Sequence, residues 1–172
     1  MIHIYTGDGK GKTTAAMGLA ARAAGYSGGY VLVTQFMKCG REGEAKSLAK
    51  IGNITFLNNS FEHGFVFAMN EAERAKLTAE HNKTLAYARA CAEGGHVKLI
   101  VLDELISAYT ENVIDRGAVD ALLTAGYACE LVLTGRNVPE HMLELADYVT
   151  EMKLVKHPYV TDQTPARQGI EY

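Results

Sequence analysis

Residues 5–18 read YTGDGKGKTTAAMG and concentrate glycine, lysine and threonine near the start of the chain. A strand that leads through glycines into a helix aims backbone N–H groups, and the positive end of the helix dipole, at one point. Glycines let such a backbone curl closely around an anion, and they stand here at Gly7, Gly9 and Gly11. The stretch therefore predicts a loop that binds phosphate.

Two side chains at the end of this loop suit a nucleoside triphosphate with its metal ion. Lys12 would reach the outer phosphates, and Thr13 would offer its hydroxyl to Mg²⁺. The match to the common pattern GxxxxGK[ST] is imperfect, because Thr6 stands where that pattern has its first glycine and Gly7 follows one position later. The alternative is a glycine-rich turn with an incidental lysine, but strand, loop, GKTT and helix agree on a phosphate site.

A second chemical feature is the stretch LIVLDE at residues 99–104. An apolar strand here delivers Asp103 and Glu104 to its carboxyl end, where ligands bind in open α/β sheets. One carboxylate can hold Mg²⁺ directly or through water, and the other can orient a water or the ligand. The alternative is a strand that merely ends in acidic residues. Together with the loop, the pair predicts a site for a magnesium–nucleotide complex without specifying the reaction.

Short β-rich runs alternate with helical stretches and must position these residues. The patterns predict strands over 2–6, 30–36, 54–57, 97–102, 129–133 and 148–151. They predict helices over 12–24, 42–51, 70–93 and 115–124, and another that begins at Asn137 or Pro139 and ends near residue 145. Strands that are apolar on both faces and separated by helices indicate a buried parallel sheet. We predict an α/β fold of the P-loop NTPase (RecA-like) class, mostly parallel, with helices on both faces of the sheet.

The long predicted helix has a clear apolar stripe. Leu77, Leu85, Ala88 and Ala92 recur at helical spacing, so we expect them in the core. His81 and Tyr87 are taken as ordinary helix-face residues. A length of 172 residues suggests one domain over 1–172, with 153–172 as a C-terminal arm that is ordered but not helical.

Composition narrows the class of protein further. The net charge is −3 and the chain has no long basic run, so nucleic acid is not the expected partner. No apolar stretch approaches the roughly 20 residues that span a bilayer, so no membrane segment is expected. The cysteines are three in number, far apart and never in a CxxC pair, which argues against a disulfide framework and fits a cytoplasmic location.

Several blocks beyond the phosphate loop carry a resemblance to a known family. They are VTQFMKCG (33–40), LDEL (102–105), LTGR (133–136), ELADYVTEMKLVKH (144–157) and GIEY (169–172). In this order and spacing, nearly end to end, the chain resembles the ATP:corrinoid adenosyltransferases, the P-loop type of cob(I)alamin adenosyltransferase. The phosphate motifs are shared with many ATPases, whereas the later blocks are more particular to this family.

The resemblance implies a reaction in which no phosphoryl group is transferred. Co(I) of the corrinoid attacks the 5′-carbon of ATP, a Co–C bond forms and the whole triphosphate leaves, with ATP held in reverse relative to ordinary P-loop enzymes. The implied ligands are ATP, Mg²⁺ or Mn²⁺, and a corrinoid substrate. A flavoprotein reductant that supplies Co(I) and a homodimeric assembly are implied as partners.

The resemblance also implies roles for individual residues. Thr13 and Glu104 would hold Mg²⁺, Asp103 would support that shell, and Lys12, Thr13 and Glu104 would carry catalysis. Arg136 would meet phosphate, and the alternative is a surface arginine that pairs with an acidic helix end. The triphosphate would lie on the loop residues Gly7, Asp8, Gly9, Lys10, Gly11, Lys12, Thr13 and Thr14.

An aromatic loop would meet the corrin. Phe65 and Phe67 would present their rings to it and help to exclude the lower axial ligand of cobalt, and a small hydrophobic cluster under a loop is the alternative. Phe67 stands where the family has tryptophan, and the chain has no Trp. Asp8 likewise replaces a common asparagine. His63, in the same loop, is not expected to be an axial ligand.

Two other functions remain open from the residues alone. One is a phosphate-transferring enzyme on the same sheet, such as an ATPase or a nucleoside kinase. The other is a nucleotide-dependent binding module without corrinoid chemistry, for which the substituted tryptophan leaves room.

Overall fold

One parallel sheet forms the centre of the computed structural model, which describes residues 1–26, 29–38, 43–58 and 64–170. Within those residues six strands are arranged in the order β3-β2-β4-β5-β1-β6, and every pairing between neighbours is parallel. The strands are Ile2–Thr6 (β1), Tyr30–Gln35 (β2), Ile54–Leu57 (β3), Val97–Asp103 (β4), Glu130–Thr134 (β5) and Tyr148–Glu151 (β6). The predicted α/β class with a parallel sheet is confirmed.

Helices connect the strands, as the alternating pattern predicts. They are Lys12–Ala24 (α1), Gly43–Leu48 (α2), Glu71–Glu93 (α3), Leu105–Thr110 (α4), Arg116–Thr124 (α5), Glu140–Leu145 (α6) and Pro158–Asp162 (α7), with a 3₁₀ turn at Val66–Ala68. The predicted start of the second helix at residue 42 lies outside the described residues.

Two apolar cores lie on opposite faces of the sheet. Val31 and Val33 of β2 pack with the buried alanines of α1 on one face, while Leu32 points into the other core, against α3. The same alternation continues along β4 and β5. Because successive strand side chains point to opposite faces, a sheet with apolar residues at every position is buried on both sides. The prediction of helices on both faces is confirmed.

The start of α3 follows its sequence signal. The Asn70 side chain accepts a hydrogen bond of 2.9 Å from the Glu73 N–H, and the Glu73 carboxylate accepts one of 2.9 Å from the Asn70 N–H. This reciprocal capping box satisfies two N–H groups that a helix start otherwise leaves unpaired. The helix runs unbroken to Glu93 and buries Leu77, Leu85, Ala88 and Ala92, as predicted.

Two local predictions are wrong, and one helix was not predicted. His81 is 1% exposed and belongs to the buried stripe of α3 rather than to an ordinary helix face. The arm from residue 153 contains the short helix α7, where the predicted arm had none. The helix α4, directly after β4, has no counterpart in the predicted elements; its N-cap residue Glu104 has a left-handed backbone with φ of 60°.

The sheet order gathers polar residues at one edge. β4 lies between β2 and β5, and Gln35 is aligned with Asp103 across the first of these pairings. Thr134 ends β5 on the other side. In parallel strands the carboxyl ends share an edge, so these side chains meet beside the loop that follows β1. Among the described helices, none is long and apolar enough to cross a membrane.

Candidate functional site

The loop between β1 and α1 curls as its glycines predict. Gly7 and Gly11 have φ of 94° and 118°, which are values that residues with a Cβ rarely adopt. Gly11 is the N-cap of α1 and supplies no side-chain cap, and the first turn of the helix carries no acidic residue. The first N–H groups of α1 therefore have no side-chain cap, as an anion-binding helix N-terminus requires.

Gly9 is required for a close approach between backbones. Its N–H donates a hydrogen bond of 2.6 Å to the Met152 carbonyl, just beyond β6. A Cβ on Gly9 would lie 2.5 Å from that same oxygen, and one on Gly7 would lie 2.6 Å from it. Side chains at either position would push the loop away from the segment that supports it.

Lys12 closes the loop on itself. Its Nζ donates to the Gly7 carbonyl at 2.6 Å and to the Gly9 carbonyl at 2.8 Å. Burial and, next, repulsion from the Arg136 guanidinium lower the pKa of Lys12 below its usual value, against the attraction of Asp8 and Glu104. The ammonium thus lies inside the curl of the loop, where an oxyanion would meet it.

Asp103 accepts hydrogen bonds from four side chains at the carboxyl edge of the sheet. It is fully buried, and its Oδ1 accepts hydrogen bonds from Thr13 Oγ1 at 2.9 Å and from Thr134 Oγ1 at 2.7 Å. Its Oδ2 accepts from Gln35 Nε2 at 3.1 Å and from Lys38 Nζ at 3.2 Å. A buried carboxylate is costly unless hydrogen bonds and opposite charges satisfy its oxygens, and all four of these contacts do so. The contact with Thr13 joins the phosphate loop to the second predicted motif.

Lys38 is a site residue that the sequence reasoning missed. Besides Asp103, its Nζ lies 3.3 Å from Thr13 Oγ1 and 3.4 Å from Glu44 Oε1. Burial disfavours its charged form, but the attraction of Asp103, Glu104 and Glu44 outweighs this and raises the pKa of Lys38 above its usual value. Gln35 and Thr134 were missed in the same way. The signal available for Lys38 and Gln35 was their place in the VTQFMKCG block.

Glu104 is held in a strained backbone conformation at the mouth of this edge. Its φ of 60° is uncommon for a residue other than glycine, and such strain is concentrated at functional sites. Its N–H donates to Thr134 Oγ1 at 2.8 Å, which ties the turn to β5. The residue lines the main cavity.

Arg136 reaches the loop from the end of β5. The preceding Gly135 has φ of 153°, and a Cβ there would lie 2.6 Å from the Ile106 Cβ of α4. Arg136 Nη2 donates to the Asp8 carbonyl at 3.4 Å, and its Nε lies 3.7 Å from Asp8 Oδ1. Because both side chains are largely exposed, this ion pair contributes little to stability and leaves the arginine available to a ligand.

Two aromatic rings project from the 3₁₀ turn and its approach. Phe65 and Phe67 are 75% and 84% exposed, although both are large apolar residues. Their rings stack with centroids 5.3 Å apart and planes inclined by 15°. An exposed apolar pair at a cavity typically marks a binding surface. His63 lies outside the described residues.

The phosphate loop, the carboxyl edge and the aromatic pair line the same cavity, which has a volume of about 990 Å³. That volume lies at the upper end of the range for small-molecule sites. The phosphate loop forms one part of its wall, Phe65 and Phe67 another, and residues of the C-terminal segment a third. The predicted site residues that line it are Asp8, Gly9, Lys10, Gly11, Lys12, Thr13, Thr14, Phe65, Phe67, Glu104 and Arg136. Gly7 and Asp103 are linked to this wall through Lys12 and Thr13.

The oxygens of this edge fit a hard divalent cation. Hydroxyl and carboxylate oxygens are the ligands that Mg²⁺ prefers, and Thr13, Asp103 and Glu104 supply them. The Lys38 ammonium already lies against Thr13 and Asp103, which indicates that a cation suits the position. In the described part of the chain, no group of three or more His, Cys, Asp or Glu side chains is arranged to hold a metal ion. Mg²⁺ commonly completes its shell with phosphate oxygens and water.

His81 is a further buried polar residue that sequence reasoning misplaced. Its Nδ1 lies 2.8 Å from the Val113 carbonyl, and its Nε2 contacts the Phe36 carbonyl. It therefore links α3 to the segment after β2 that carries Lys38. The available signal was its position four residues after Leu77 and four before Leu85, on the apolar stripe.

Comparison with known proteins gives one consistent family. A family model described as ATP:corrinoid adenosyltransferase BtuR/CobO/CobP matches residues 1–172. The corrinoid adenosyltransferase of Sinorhizobium sp is 32% identical over 100% of this chain and 80% of its own length. That of Escherichia coli K12 is 32% identical, and that of Salmonella typhimurium LT2 is 33% identical, each over 100% of this chain and 85% of the relative.

Proposed function

The chain belongs to the ATP:corrinoid adenosyltransferase family, and from that premise we propose the reaction that its site performs. The protein transfers the 5′-deoxyadenosyl group of ATP to the Co(I) of a corrinoid, cob(I)alamin or a precursor, and releases triphosphate. The reaction belongs to the biosynthesis or salvage of adenosylcobalamin. The observation that carries the proposal is the cavity that joins a phosphate loop to an exposed aromatic pair.

The bond changes determine what the protein must do. The electron pair of Co(I) forms a bond to C5′ of ATP, the C5′–O5′ bond breaks, and O5′ leaves on the triphosphate with the electrons of that bond. No proton is removed from the nucleophile, so the site needs no general base. What it must supply is alignment of C5′ with cobalt and stabilisation of the leaving polyanion.

The loop residues 7–14 fit the second task. The start of α1, Lys12 and Arg136 line the cavity, where their N–H groups and positive charges would meet the triphosphate. When the nucleotide binds, Lys12 exchanges its contacts with the Gly7 and Gly9 carbonyls for phosphate oxygens. These donors are positioned before reaction, which is the arrangement that makes electrostatic stabilisation effective.

Mg²⁺, or Mn²⁺ in its place, would be held by Thr13 and Glu104, with Asp103 orienting the Thr13 hydroxyl. When bound, the ion supplies positive charge to the leaving triphosphate. Thr13 and Glu104 both line the cavity, where their hydroxyl and carboxylate oxygens would be available to the ion.

Phe65 and Phe67 would meet the corrin macrocycle. Their stacked, exposed rings offer a flat apolar surface at the mouth of the cavity, and such a surface suits a large conjugated ring. Covering one face of the corrin would help to exclude the lower axial ligand of cobalt. Phenylalanine at position 67 retains the apolar face with less area than tryptophan.

The setting of the reaction follows from its substrate. Co(I) must be supplied by a reductant, and a flavoprotein is the proposed partner. A homodimer is the proposed assembly. Cys91 and Cys129 are free thiols, which supports a reducing compartment and hence the proposed cytoplasmic location.

One assay tests the proposed function. The protein is mixed anaerobically with ATP and chemically reduced cobalamin, and both the absorbance spectrum and the phosphate products are recorded. We expect a light-sensitive alkylcobalamin and inorganic tripolyphosphate in equal amounts. ADP with inorganic phosphate would instead identify an ATPase or kinase, and retained ATP binding without any response to corrinoid would identify a binding module.

A further inference from the structure

Lys38 occupies a position that the proposed function would give to a metal ion. Its ammonium lies 3.2 Å from Asp103 Oδ2, 3.3 Å from Thr13 Oγ1 and 3.4 Å from Glu44 Oε1. Thr13 and Asp103 also belong to the oxygen set described above for Mg²⁺. A single cluster of oxygens therefore serves an ammonium here and a divalent cation in the proposed complex.

The two cations compete for these oxygens. Mg²⁺ binds oxygen at about 2.0–2.1 Å in a nearly octahedral shell, so a metal bound to Thr13 Oγ1 would lie within a few ångströms of the ammonium that now contacts the same atom. Two positive charges at such separation also repel by several kcal/mol at an effective dielectric constant near 20. The arrival of the metal therefore requires that the Lys38 ammonium move.

The surroundings of Lys38 stabilise its ammonium in the present position and also offer it a second position. Its side chain is only 20% exposed, and three carboxylates attract it: Asp103, Glu104 and Glu44. Without a cation these charges would repel one another across a half-buried space. Glu44 belongs to α2 and is 26% exposed, so a long flexible lysine can keep that contact while it leaves Asp103.

We propose that the Lys38 ammonium occupies the divalent-cation position in the nucleotide-free protein and is displaced toward Glu44 when the metal enters with ATP. This inference rests on the proposed function for the identity of the metal complex. It makes Lys38 a positioning residue that keeps the carboxylate cluster neutralised and excludes free metal. Metal then binds well only when the nucleotide brings phosphate oxygens as additional ligands.

Direct metal titration tests the displacement. Mn²⁺ is added to nucleotide-free protein and free Mn²⁺ is measured by electron paramagnetic resonance. We expect Lys38→Met to bind Mn²⁺ at least tenfold more tightly than the wild type, because the cluster has lost its resident cation. Lys38→Arg keeps the charge and should bind like the wild type. Lys98→Met removes an exposed lysine at the start of β4, at the opposite edge of the sheet, and should change nothing.

Two further measurements are needed to interpret the Mn²⁺ titration. Thermal unfolding checks that each variant is folded, and Lys38→Gln replaces Lys38→Met if that variant is not. The titration is then repeated with a non-hydrolysable ATP analogue, which should tighten Mn²⁺ binding much more in the wild type than in Lys38→Met. Equal Mn²⁺ affinity of wild type and Lys38→Met without nucleotide would overturn the displacement alone. Failure of the wild type to bind Mn²⁺ even with the analogue would overturn the metal site and this inference. The proposed function is tested independently, by adenosyl transfer in the assay described above.

Discussion

At the level of single residues, hydrogen bonds hold the charged side chains of the site in place. Lys12 is satisfied by two carbonyls of its own loop, and Asp103 accepts four hydrogen bonds, among them that of Thr13. These contacts hold the donors in place before any ligand arrives. A preorganised donor of this kind contributes more to the transition state than to the bound substrate.

Lys12→Ala should therefore act mainly on turnover. Removing one preorganised donor to a developing anion costs about 10²–10³ in rate. Adenosyl transfer to chemically reduced cobalamin measures the loss. Lys98→Ala, which removes an exposed lysine far from the cavity, is the matched control. Unchanged turnover in Lys12→Ala would show that the loop is wrongly assigned.

The aromatic pair should affect the corrinoid and not the nucleotide. Phe67→Ala is expected to raise the apparent KM for cobalamin about twofold to tenfold, the equivalent of the roughly 0.5–1.5 kcal/mol carried by an aromatic contact. ATP affinity, measured by calorimetry, should stay the same. Phe67→Trp should match or improve on the wild type. Equal losses of ATP and corrinoid affinity in Phe67→Ala would assign these rings to folding instead.

At the scale of elements, the turns between strand and helix decide where the charges lie. Glycines at the tight turns were readable in the sequence, and so the predicted bounds of β1, α1 and β3 agree with the structure. The predicted bounds of β6 agree as well, although no glycine flanks that strand. The turn at Glu104 was not readable, because a glutamate in a left-handed conformation is neither a usual N-cap nor a usual turn residue. Consequently α4 was missed while the strand before it was found.

Gly135 tests the close approach between β5 and α4. Gly135→Ala should lower the free energy of unfolding by about 1–3 kcal/mol, because its Cβ would lie 2.6 Å from the Ile106 Cβ and the backbone is left-handed. Gly18→Ala is the control, since that glycine lies within α1 with open space around it. It should raise stability by about 0.5–1 kcal/mol. Urea denaturation compares both with the wild type, and equal effects of the two variants would contradict the packing described.

The capping box of α3 gives a prediction of its own. Asn70→Ala removes the acceptor for the Glu73 N–H and should lower the free energy of unfolding by about 1 kcal/mol. Asn70→Asp retains an acceptor and should cost little. Denaturant midpoints measure both variants. A loss in Asn70→Asp as large as that in Asn70→Ala would mean that the side-chain oxygen is not what stabilises this helix start.

At the scale of the whole molecule, the strand order brings distant parts of the chain together. Gln35 and Thr134 converge on Asp103 only because β2 and β5 flank β4, and the sequence contained no evidence of that order. The residues of the phosphate loop and of LDE could be named as candidates from the sequence because each motif carries its own chemistry. Lys38, Gln35 and Thr134 were missed because their role arises from neighbours that are remote in sequence.

His81 links a core helix to two segments that are distant from it in sequence. It lies in the core of α3 and contacts the carbonyls of Val113 and Phe36. His81→Leu should lower the free energy of unfolding by about 1–3 kcal/mol for each buried carbonyl that loses its partner. His81→Gln, which keeps a donor, is expected to recover part of this in thermal unfolding. Equal stability of His81→Leu and the wild type would contradict the bridging role.

Adenosyl transfer requires that carbon, not phosphorus, is the atom attacked. ATP labelled with ¹⁸O at the bridge between C5′ and the α-phosphorus tests it directly, with reduced cobalamin as the acceptor and mass spectrometry of the products. Cleavage of the C5′–O5′ bond should leave the label quantitatively in tripolyphosphate and none in the adenosyl product. Label retained in a nucleoside product, beside unlabelled inorganic phosphate, would show instead that phosphorus is attacked.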